Sequence, residues 1–424
     1  NMNILILGSG GREHTFCWKL SQSPKCKNLY VSPGNAGTAA IATNLGIPVL
    51  DFKSIKVAVI KNNIQMVIVG PEAPLVEGIK EFFQSDSQLS KVSLIGPNSE
   101  AAKLEGSKSF AKKFMNKYKI PTAKYSEFTS SSLSQAFKFL ETMTPPYVLK
   151  ADGLAGGKGV LIIEDIDKAK KELKSMLLNK KFGKASEKVV IEEFLNGIEL
   201  SCFIISDGKT GITFPMAKDY KKIGEADTGL NTGGMGAVSP VPFVDIEFQK
   251  KIDEKIIKPT LRGLKSENML YQGFIFIGLI NVDGEPMVIE YNVRMGDPET
   301  EVVIPRIKND FVSLFQAVSN QNLKTIKLKI DKRVAVTVMS VSGGYPEKYN
   351  KGYAIKGLEN IKDAIIFHSG TIIEGDKVLT NGGRVLTLTG LGNSMQEALK
   401  KSYKGLKEIQ FKGMYYRNDI GFDL

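Results

Sequence analysis

The sequence predicts an α/β domain with an open parallel sheet, followed by two α+β regions. In the first hundred residues, buried strand patterns such as NILILG and MVIVG alternate with helix patterns such as HTFCWKLSQ and SIKVAVIKNN. This alternation is typical of a parallel sheet with helices on both faces. After a helix that begins near Gly106, the strands YVLKADG, GVLIIE and KVVIEEFL follow through short connections. That order predicts an antiparallel α+β body rather than a continuation of the first sheet.

A third strand-rich stretch begins at Arg333 and closes with the helix pattern MQEALKKSYKGLKEI. A chain of 424 residues is also too long for a single hydrophobic core. We therefore expect an N-terminal domain over residues 1–105, a central domain over 106–325 and a C-terminal α+β domain over 326–424.

The net charge of +12 comes mostly from lysines that are scattered along the chain. No long basic tract and no interleaving of basic and aromatic residues occurs, so we expect no nucleic-acid partner. A lysine-rich surface attracts phosphorylated small molecules instead.

We expect neither a membrane helix nor a secretion signal in this sequence. No window reaches about 18 consecutive apolar residues, and the N-terminal apolar run stops at glycines without a basic region before it. The three cysteines, Cys17, Cys26 and Cys202, are unevenly spaced and form no C-x-x-C pair. Free thiols of this kind indicate a cytoplasmic protein and argue against structural zinc.

A glycine-rich turn, Gly8 to Glu13, follows the first strand and opens a helix. A dinucleotide fingerprint needs a third glycine where Glu13 stands, and an acidic residue after the second strand, where the chain reads Val31-Ser32-Pro33. NAD binding is therefore disfavoured. A small phosphate at the helix N-terminus remains open, beside the alternative of a tight turn without a ligand.

A second glycine-rich loop, Ala155 to Gly159, joins two strand patterns and contains Lys158. It is not a P-loop, because no Ser or Thr and no helix follow the lysine. We expect it to close over phosphates as a flap, with Lys150 on the preceding strand directed at the same triphosphate. Either lysine alone is more often a surface residue.

The segment from Glu192 to Glu199 connects two strand patterns. A crossing of this kind could offer backbone groups to an adenine and a carboxylate to a ribose. A surface turn with ordinary glutamates is the alternative.

The segment VIEYNVR combines strand alternation with polar residues. Alternation predicts that Glu290, Asn292 and Arg294 share one face. Carboxylate and amide oxygens are ligands that Mg²⁺ accepts beside nucleotide phosphates, and an arginine can clamp a transferring phosphoryl group. The acidic stretch GDPETE that follows could bind an amine.

Covalent catalysis has little support in the sequence. His14 and His368 are the only histidines, and no G-x-S-x-G motif or Cys/His pair occurs. We expect His368, in the strand pattern IIFHSG, to serve packing in the core or between domains.

In their order along the chain, nine motifs resemble those of the ATP-grasp ligases, and among these the phosphoribosylamine–glycine ligases. The motifs are GSGGREH, SPGNAGTA, VGPEAPLVEGI, LEGSKSFAK, KADGLAGGKGV, VIEEFLNG, DTGLNTGGMGA, VIEYNVRMGDPETE and TNGGRVL. The resemblance implies an ATP-grasp body with a mobile small subdomain at about 122–190. It also implies joining of glycine to 5-phosphoribosylamine through a glycyl phosphate, giving glycinamide ribonucleotide, ADP and phosphate early in purine synthesis.

The resemblance implies a role for each matching residue. ATP would bind Lys108, Lys150, Gly157, Lys158, Glu192, Leu195 and Glu199, and Mg²⁺ or Mn²⁺ would bind Glu290 and Asn292. Phosphoribosylamine and glycine would bind at Gly10, Gly11, Arg12, Glu72 and Asp219, with Arg294 and Asp297 as catalytic residues. We expect a monomer whose partners are these small molecules.

Two positions depart from the family pattern. The strand GFIFIGLI carries no acid where many ATP-grasp enzymes have a further metal ligand, so we expect one well-bound metal and a second held mainly by nucleotide. Tyr220 stands where relatives often carry histidine, which puts a catalytic base there in doubt. An ATP-grasp carboxylase, or another amide ligase acting on a related phosphorylated amine, is the alternative. A nicotinamide oxidoreductase is a weaker rival.

Overall fold

The N-terminal residues form a parallel sheet of five strands in the order β3-β2-β1-β4-β5. The computed structural model describes residues 1–424. The elements of this region are β1 (Met2–Gly8), α1 (Gly11–Ser21), β2 (Cys26–Pro33), α2 (Ala36–Ile41), β3 (Thr43–Asn44), α3 (Phe52–Lys61), β4 (Met66–Val69), α4 (Ala73–Val76), α5 (Ile79–Ser85), β5 (Ser93–Ile95) and α6 (Ser99–Gly106). The predicted open α/β sheet is confirmed.

Strand β1 shows why this sheet is buried on both faces. Leu5 and Leu7 belong to one hydrophobic core cluster, whereas Ile4 and Ile6 belong to another. Successive side chains of a strand point to opposite faces, so an uninterrupted apolar run can fill two cores. The turn after β1 is thereby fixed at the carboxyl edge of the sheet.

The central region contains two antiparallel sheets, in the orders β6-β9-β7-β8 and β11-β10-β16-β17. Its elements are α7 (Lys108–Lys117), β6 (Tyr125–Thr129), α8 (Leu133–Glu141), β7 (Tyr147–Ala151), β8 (Val160–Ile163), α9 (Ile166–Leu178), β9 (Lys188–Glu192), β10 (Ile198–Asp207), β11 (Gly211–Thr213), β12 (Lys218–Asp219), β13 (Lys222–Gly224), β14 (Thr228–Asn231), β15 (Gly236–Ser239), α10 (Ile246–Ile252), α11 (Lys258–Ser266), β16 (Gln272–Val282), β17 (Glu285–Asn292), α12 (Thr300–Val303) and α13 (Phe311–Ser319). The antiparallel body is as predicted.

The first of these sheets has a core of its own. Leu149 of β7, Leu173 of α9 and Ile191 of β9 pack in a cluster separate from the main cores. A unit with a separate core can move as a body on its connections. The small subdomain expected at 122–190 corresponds to this unit, and its mobility stays a prediction.

A β-bulge in β17 sets the direction of the polar side chains on that strand. Glu290 pairs with Gly278 and Val288 pairs with Leu279, which leaves Ile289 as an extra residue. Without the bulge, Val288 and Glu290 would face the same side. The extra residue lets Val288 and Tyr291 enter the core, while Glu290 faces away from it.

The C-terminal sheet has the order β12-β15-β18-β22-β19. The last elements are β18 (Val334–Val341), β19 (Ile365–His368), β20 (Thr371–Glu374), β21 (Lys377–Thr380), β22 (Arg384–Gly392) and α14 (Met395–Glu408). Strands β12 and β15 precede the predicted boundary at residue 325 and yet belong to this sheet. The boundary stays a prediction for the chain, but it does not divide the sheet. No helix is long and apolar enough to cross a membrane.

Candidate active site

The turn after β1 brings the N-terminus of α1 against the segment that follows β17. The amide of Arg12 donates to Oδ2 of Asp297 at 3.2 Å, and the amide of Gly10 donates to Oε1 of Glu13 at 2.8 Å. A Cβ on Gly10 would lie 2.8 Å from Oδ2 of Asp297, and a Cβ on Gly11 would lie 2.8 Å from Oε2 of Glu301. Only glycine permits so close an approach at these two positions.

The side chain of Arg12 is buried and already bonded. Its Nε lies 2.5 Å from Oε2 of Glu13, and its Nη1 donates to the carbonyl of Met295 at 3.1 Å. The resemblance implies that Arg12 binds phosphoribosylamine. The structure leaves only Nη2 without a hydrogen bond inside the protein, so a phosphate contact from Arg12 would use Nη2 or the nearby amides.

Arg294 links the segment after β17 to the N-terminal α/β region. Its Nε lies 3.3 Å from Oε2 of Glu72 and its Nη2 lies 3.0 Å from Oε2 of Glu105. Burial would raise the pKa of Glu72, but the charges of Arg294 and Arg12 together lower it. Both side chains are partly exposed, so a charged substrate group could compete for either of them.

Glu105 is a site residue that the sequence analysis missed. It is buried, its Oε1 accepts from the amide of Val293 at 2.8 Å, and burial raises its pKa to about 7. It lies inside the motif LEGSKSFAK, but only the fold shows that it faces Arg294. A carboxyl poised near neutrality beside an arginine is a candidate proton carrier.

Glu290 and Asn292 project from β17 into a group of cations. Burial would raise the pKa of Glu290, but Lys221, Lys108, Lys150 and Arg294 lower it. Asn292 is buried, and its Nδ2 has no hydrogen-bond partner. The carboxylate of Glu290 and Oδ1 of Asn292 are oxygen donors of the kind that fit Mg²⁺ or Mn²⁺.

No group of three or more His, Cys, Asp or Glu side chains has an arrangement that could hold a metal ion by itself. Mg²⁺ often has only one or two protein ligands and takes the others from phosphates and water. The two donors on β17 therefore fit a metal that arrives with a nucleotide, and they do not form a metal cage without it.

Capping of α7 fixes the position of Lys108. Ser107 caps this helix, and Asp152, which follows β7, accepts from the amide of Ser109 at 2.8 Å. The amide of Lys108 donates to the carbonyl of Asp152 at 3.0 Å. These bonds place Lys108 at a positive helix end beside the strand that carries Lys150, an arrangement that suits phosphates.

Glu192 bridges two buried lysines. Its Oε1 lies 3.0 Å from Nζ of Lys150, and its Oε2 lies 3.2 Å from Nζ of Lys112. Burial lowers the pKa of Lys112 to about 8, against the charge of Glu192. The sequence analysis missed Lys112, although its place one helical turn after Lys108 puts both on one face of α7.

The other predicted nucleotide contacts are more exposed. Gly157 and Lys158 lie exposed in the loop between β7 and β8, and Leu195 is half-buried after β9. Glu199 is exposed on β10, with Nζ of Lys221 3.4 Å from its Oε2. Gly156 and Gly157 have φ values of 59° and 78°, so the loop uses a backbone conformation that favours glycine.

Asp219 lies beside further charged groups that sequence reasoning did not assign. Burial raises the pKa of Asp219, and Lys221 and Glu199 act on it from nearby. Burial, and then the charge of Asp219, raises the pKa of Glu299 to about 8. The acidic GDPETE segment thus contributes Glu299 as well as Asp297 to this area.

Tyr220 is not placed as a base. Its side chain is buried, and its hydroxyl donates to Oδ1 of Asp423 at 2.6 Å. Lys218, on the other side of Asp219, lies 3.2 Å from Oδ2 of the same carboxylate. Burial and Asp423 raise the pKa of Tyr220, so the hydroxyl remains protonated and structural.

The C-terminal sheet also contributes a residue that contacts Asp297. Arg384 donates through Nη1 to the carbonyl of Asp297 at 2.6 Å. The amide of His368 donates to Nδ1 of His14 at 2.7 Å, and the two rings pack 5.5 Å apart. His368 therefore packs between domains, as predicted, and the same contact accounts for His14.

Several of the predicted residues lie close to one another in the structure, and their roles stay predictions. Glu290 lies among Lys108, Lys150 and Arg294, which connects the metal, phosphate and catalytic predictions. Lys158 and Gly157 stand apart on the small subdomain. A cavity of about 200 Å³ beside Lys80 and Gln272 contains none of the predicted residues.

Family models match almost the whole chain. They describe the N domain of phosphoribosylglycinamide synthetase at residues 2–105, its ATP-grasp (A) domain at 106–300 and its C domain at 335–423. A phosphoribosylamine–glycine ligase of Fusobacterium nucleatum is 45% identical over 99% of this chain and 98% of the relative. That of Caldanaerobacter subterraneus is 42% identical over 99% of both.

Solved structures agree with this relationship. The crystal structure of phosphoribosylamine–glycine ligase from Thermotoga maritima matches with a TM-score of 0.85 and 35% identity, over 98% of this chain and 99% of the other. A biotin carboxylase from Campylobacter jejuni matches with a TM-score of 0.73 at 14% identity, over 98% of this chain and 93% of the other, which shows the fold alone. The chain therefore belongs to the phosphoribosylamine–glycine ligases, a family of ATP-dependent ligases with the ATP-grasp fold.

Proposed function

We propose that this protein joins glycine to 5-phosphoribosylamine in an early step of purine synthesis, with ATP converted to ADP and phosphate. The observation that carries the proposal is the contact of Arg294 with Glu72. Arg294 follows β17, whose Glu290 lies near Lys108 and Lys150, the lysines that would bind the ATP phosphates. Glu72 belongs to the N-terminal domain, which would bind the phosphorylated amine.

The first step activates glycine. The carboxylate of glycine attacks the γ-phosphorus of ATP, ADP leaves, and glycyl phosphate forms. Lys108 and Lys150 would neutralise the phosphates, and Arg294 would stabilise the charge on the phosphoryl group in flight. Glu290 and Asn292 would hold Mg²⁺ or Mn²⁺, which supplies further charge neutralisation on the phosphates.

The second step forms the amide. The nitrogen of phosphoribosylamine attacks the carbonyl carbon, phosphate leaves, and the amine loses a proton. Asp297 and Asp219 would bind the ammonium group of glycine, whereas Gly10, Gly11, Arg12 and Glu72 would bind the phosphoribosyl group. Glu105, whose pKa is raised to about 7 by burial, is suitably placed to take up a proton beside Arg294.

Water must stay away from the glycyl phosphate, because an acyl phosphate hydrolyses. The loop Gly156–Gly159 would close over the ATP phosphates, with Lys158 as its charged contact. Leu195 and Glu192 would line the adenine side and Glu199 would meet the ribose. In this proposal the protein acts in the cytoplasm as a monomer on small-molecule substrates.

One assay tests the function directly. Purified protein is incubated with ATP and Mg²⁺, either with glycine plus phosphoribosylamine or with bicarbonate plus aminoimidazole ribotide, and ADP release is measured. We expect ADP release only with the first pair, and formation of glycinamide ribonucleotide in equal amount. ADP release only with the second pair would instead identify an ATP-grasp carboxylase.

A further inference from the structure

Two buried carboxyl groups meet where the three domains join. Glu301 of α12 is 0% exposed, and neither of its side-chain oxygens receives a hydrogen bond. Asp297, four residues earlier, accepts the Arg12 amide at Oδ2, while its Oδ1 has no donor. The two carboxyl groups face neighbouring glycines of the turn after β1, since Oδ2 of Asp297 lies 2.8 Å from where a Cβ on Gly10 would be and Oε2 of Glu301 lies 2.8 Å from where a Cβ on Gly11 would be. Besides burial, the charge of Asp297 raises the pKa of Glu301, which indicates that the two groups are close.

Two ionised carboxylates could not satisfy these unpartnered oxygens for one another, because each can only accept hydrogen bonds. Burial of two like charges close together also prevents both from ionising, so we expect the pair to contain a proton. Glu301 is packed closely against the turn after β1. Oε2 of Glu301 and Oγ of Ser369 both crowd the face of Gly11, at 2.8 and 2.9 Å from where its Cβ would lie.

We propose that Glu301 is a positioning residue that remains a neutral carboxylic acid and donates its hydrogen bond to Oδ1 of Asp297. The hydrogen bond fixes the Asp297 carboxylate between the α1 amide and the cleft, where it would bind the ammonium group of glycine. This last role rests on the proposed function, whereas the shared proton does not.

The surroundings decide which carboxyl keeps the proton. Arg384 and Arg12 act on Asp297 and lower its pKa against the effect of burial. For Glu301, burial and the charge of Asp297 raise the pKa, Glu299 adds to this, and only Arg384 opposes them. Other ionisable groups on the elements packed against α12 are Glu13, His14, Cys17 and Lys19 of α1 and Arg306 of the following turn.

Two variants separate the effect of side-chain length from the effect of the ionisable group. Glu301→Gln keeps a donor of the same length and cannot ionise. Glu301→Asp keeps a carboxyl on a side chain that is one methylene shorter, so its hydroxyl should fall short of Oδ1 of Asp297. We expect Glu301→Gln to keep the KM for glycine within about threefold, and Glu301→Asp to raise it about tenfold, the loss typical of one hydrogen bond. An equal loss in both variants would overturn the proposal.

The pH dependence of stability gives a readout independent of the reaction. A carboxyl whose pKa is raised on folding stabilises the protein at low pH and loses that contribution as pH rises through the folded pKa. As pH rises from about 5 to about 8, the Tm of the wild type should therefore fall relative to the Tm of Glu301→Gln. A Tm difference that stays constant over this range would contradict the neutral acid.

Infrared spectroscopy observes the proton itself. The difference spectrum of wild type minus Glu301→Gln at pH 7 should contain the carbonyl band of a protonated carboxylic acid, and this band should move in D₂O. A carboxylate band in its place would refute the proposal. If the wild type ligates no glycine, the proposed function fails, while the infrared and Tm results still decide where the proton lies.

Discussion

Nζ of Lys150 lies 3.0 Å from Oε1 of Glu192, and the other oxygen of that carboxylate lies 3.2 Å from Nζ of Lys112. All three side chains are buried. Removing one partner of a buried ion pair is costly because the remaining charge is left without compensation. We expect Glu192→Gln to lower the free energy of unfolding by about 3 kcal/mol and to raise the KM for ATP.

Urea unfolding and steady-state kinetics measure these two effects. Glu193→Gln is the matched control, because it changes the neighbouring, more exposed glutamate. The side chain of Glu193 accepts a hydrogen bond from the amide of Lys124. Equal unfolding free energies for the two variants would show that the Lys150–Glu192–Lys112 cluster does not stabilise the fold.

Substitution of Glu290 tests the metal site. Glu290→Gln should reduce kcat on the order of 10²-fold and raise the Mg²⁺ concentration needed for half-maximal activity, because one anionic ligand is lost. Glu285→Gln, on the same strand but paired with Lys251 at the surface, should behave as wild type. Unchanged Mg²⁺ dependence in Glu290→Gln would rule out this assignment.

The loop Gly156–Gly159 should respond to nucleotide. Its amides should exchange with solvent more slowly when MgATP is bound, since phosphate contacts restrict a loop that is otherwise free to move. Lys158→Ala should raise the KM for ATP, whereas Lys168→Ala, an exposed lysine on α9, should not. Hydrogen exchange that does not change with MgATP would argue against closure.

The acceptor site is tested at Arg12. Arg12→Ala should raise the KM for phosphoribosylamine by an amount equal to about 1.5–3 kcal/mol, typical of a charged hydrogen bond, with little change in the KM for ATP. Part of this loss would come from the bond to the Met295 carbonyl, so Arg12→Lys should recover little. Arg262→Ala, at an exposed arginine on α11, is the control. A selective loss of ATP affinity would invert the domain assignment.

Two buried histidines should make the fold sensitive to acid. Burial lowers the pKa of His14 to about 3 and that of His368 to about 4. Because unfolded histidine titrates near 6.5, each neutral histidine contributes its full amount to the free energy of unfolding above about pH 6.5. As pH falls towards 4, this contribution decreases by about 1.4 kcal/mol per pH unit for each histidine.

The variant His14→Gln should reduce this slope by about one proton, because glutamine can still accept from the amide of His368 but cannot titrate. Unfolding free energies between pH 4 and pH 8 provide the measurement, and the value at pH 8 gives the cost of the substitution itself. A slope equal to that of wild type would mean that His14 is accessible to protons in the folded state.

Local patterns were sufficient to predict the elements and the strand that carries Glu290. An apolar run such as NILILG and a polar alternation such as Glu290–Asn292–Arg294 depend on residues that are close in sequence. The pairing of β15 with β18 was not predictable in this way, because β16, β17 and several helices lie between the two strands in the chain and their local patterns do not specify partners.

The same limit applies to the site. Glu105 and Glu301 lie in motifs that the sequence analysis recognised, but their importance comes from burial beside Arg294 and Asp297, which only the fold determines. For Arg12 the sequence implied a contact with phosphoribosylamine. In the fold, most of its side chain is instead bonded to Glu13 and to the carbonyl of Met295. The bulge at Ile289 could not be derived from alternation, which it interrupts.

The contacts of Asp423 connect two parts of the chain that are distant in sequence. This carboxylate accepts from the hydroxyl of Tyr220, which precedes it by 203 residues, and lies 3.2 Å from Nζ of Lys218, so it supports the short strand on which Asp219 lies. Proteolytic cleavage before Asp423 would leave that strand with its backbone pairing to β15 alone. A nick so far along the chain should therefore loosen the Asp219 side of the site while every other assigned residue is retained.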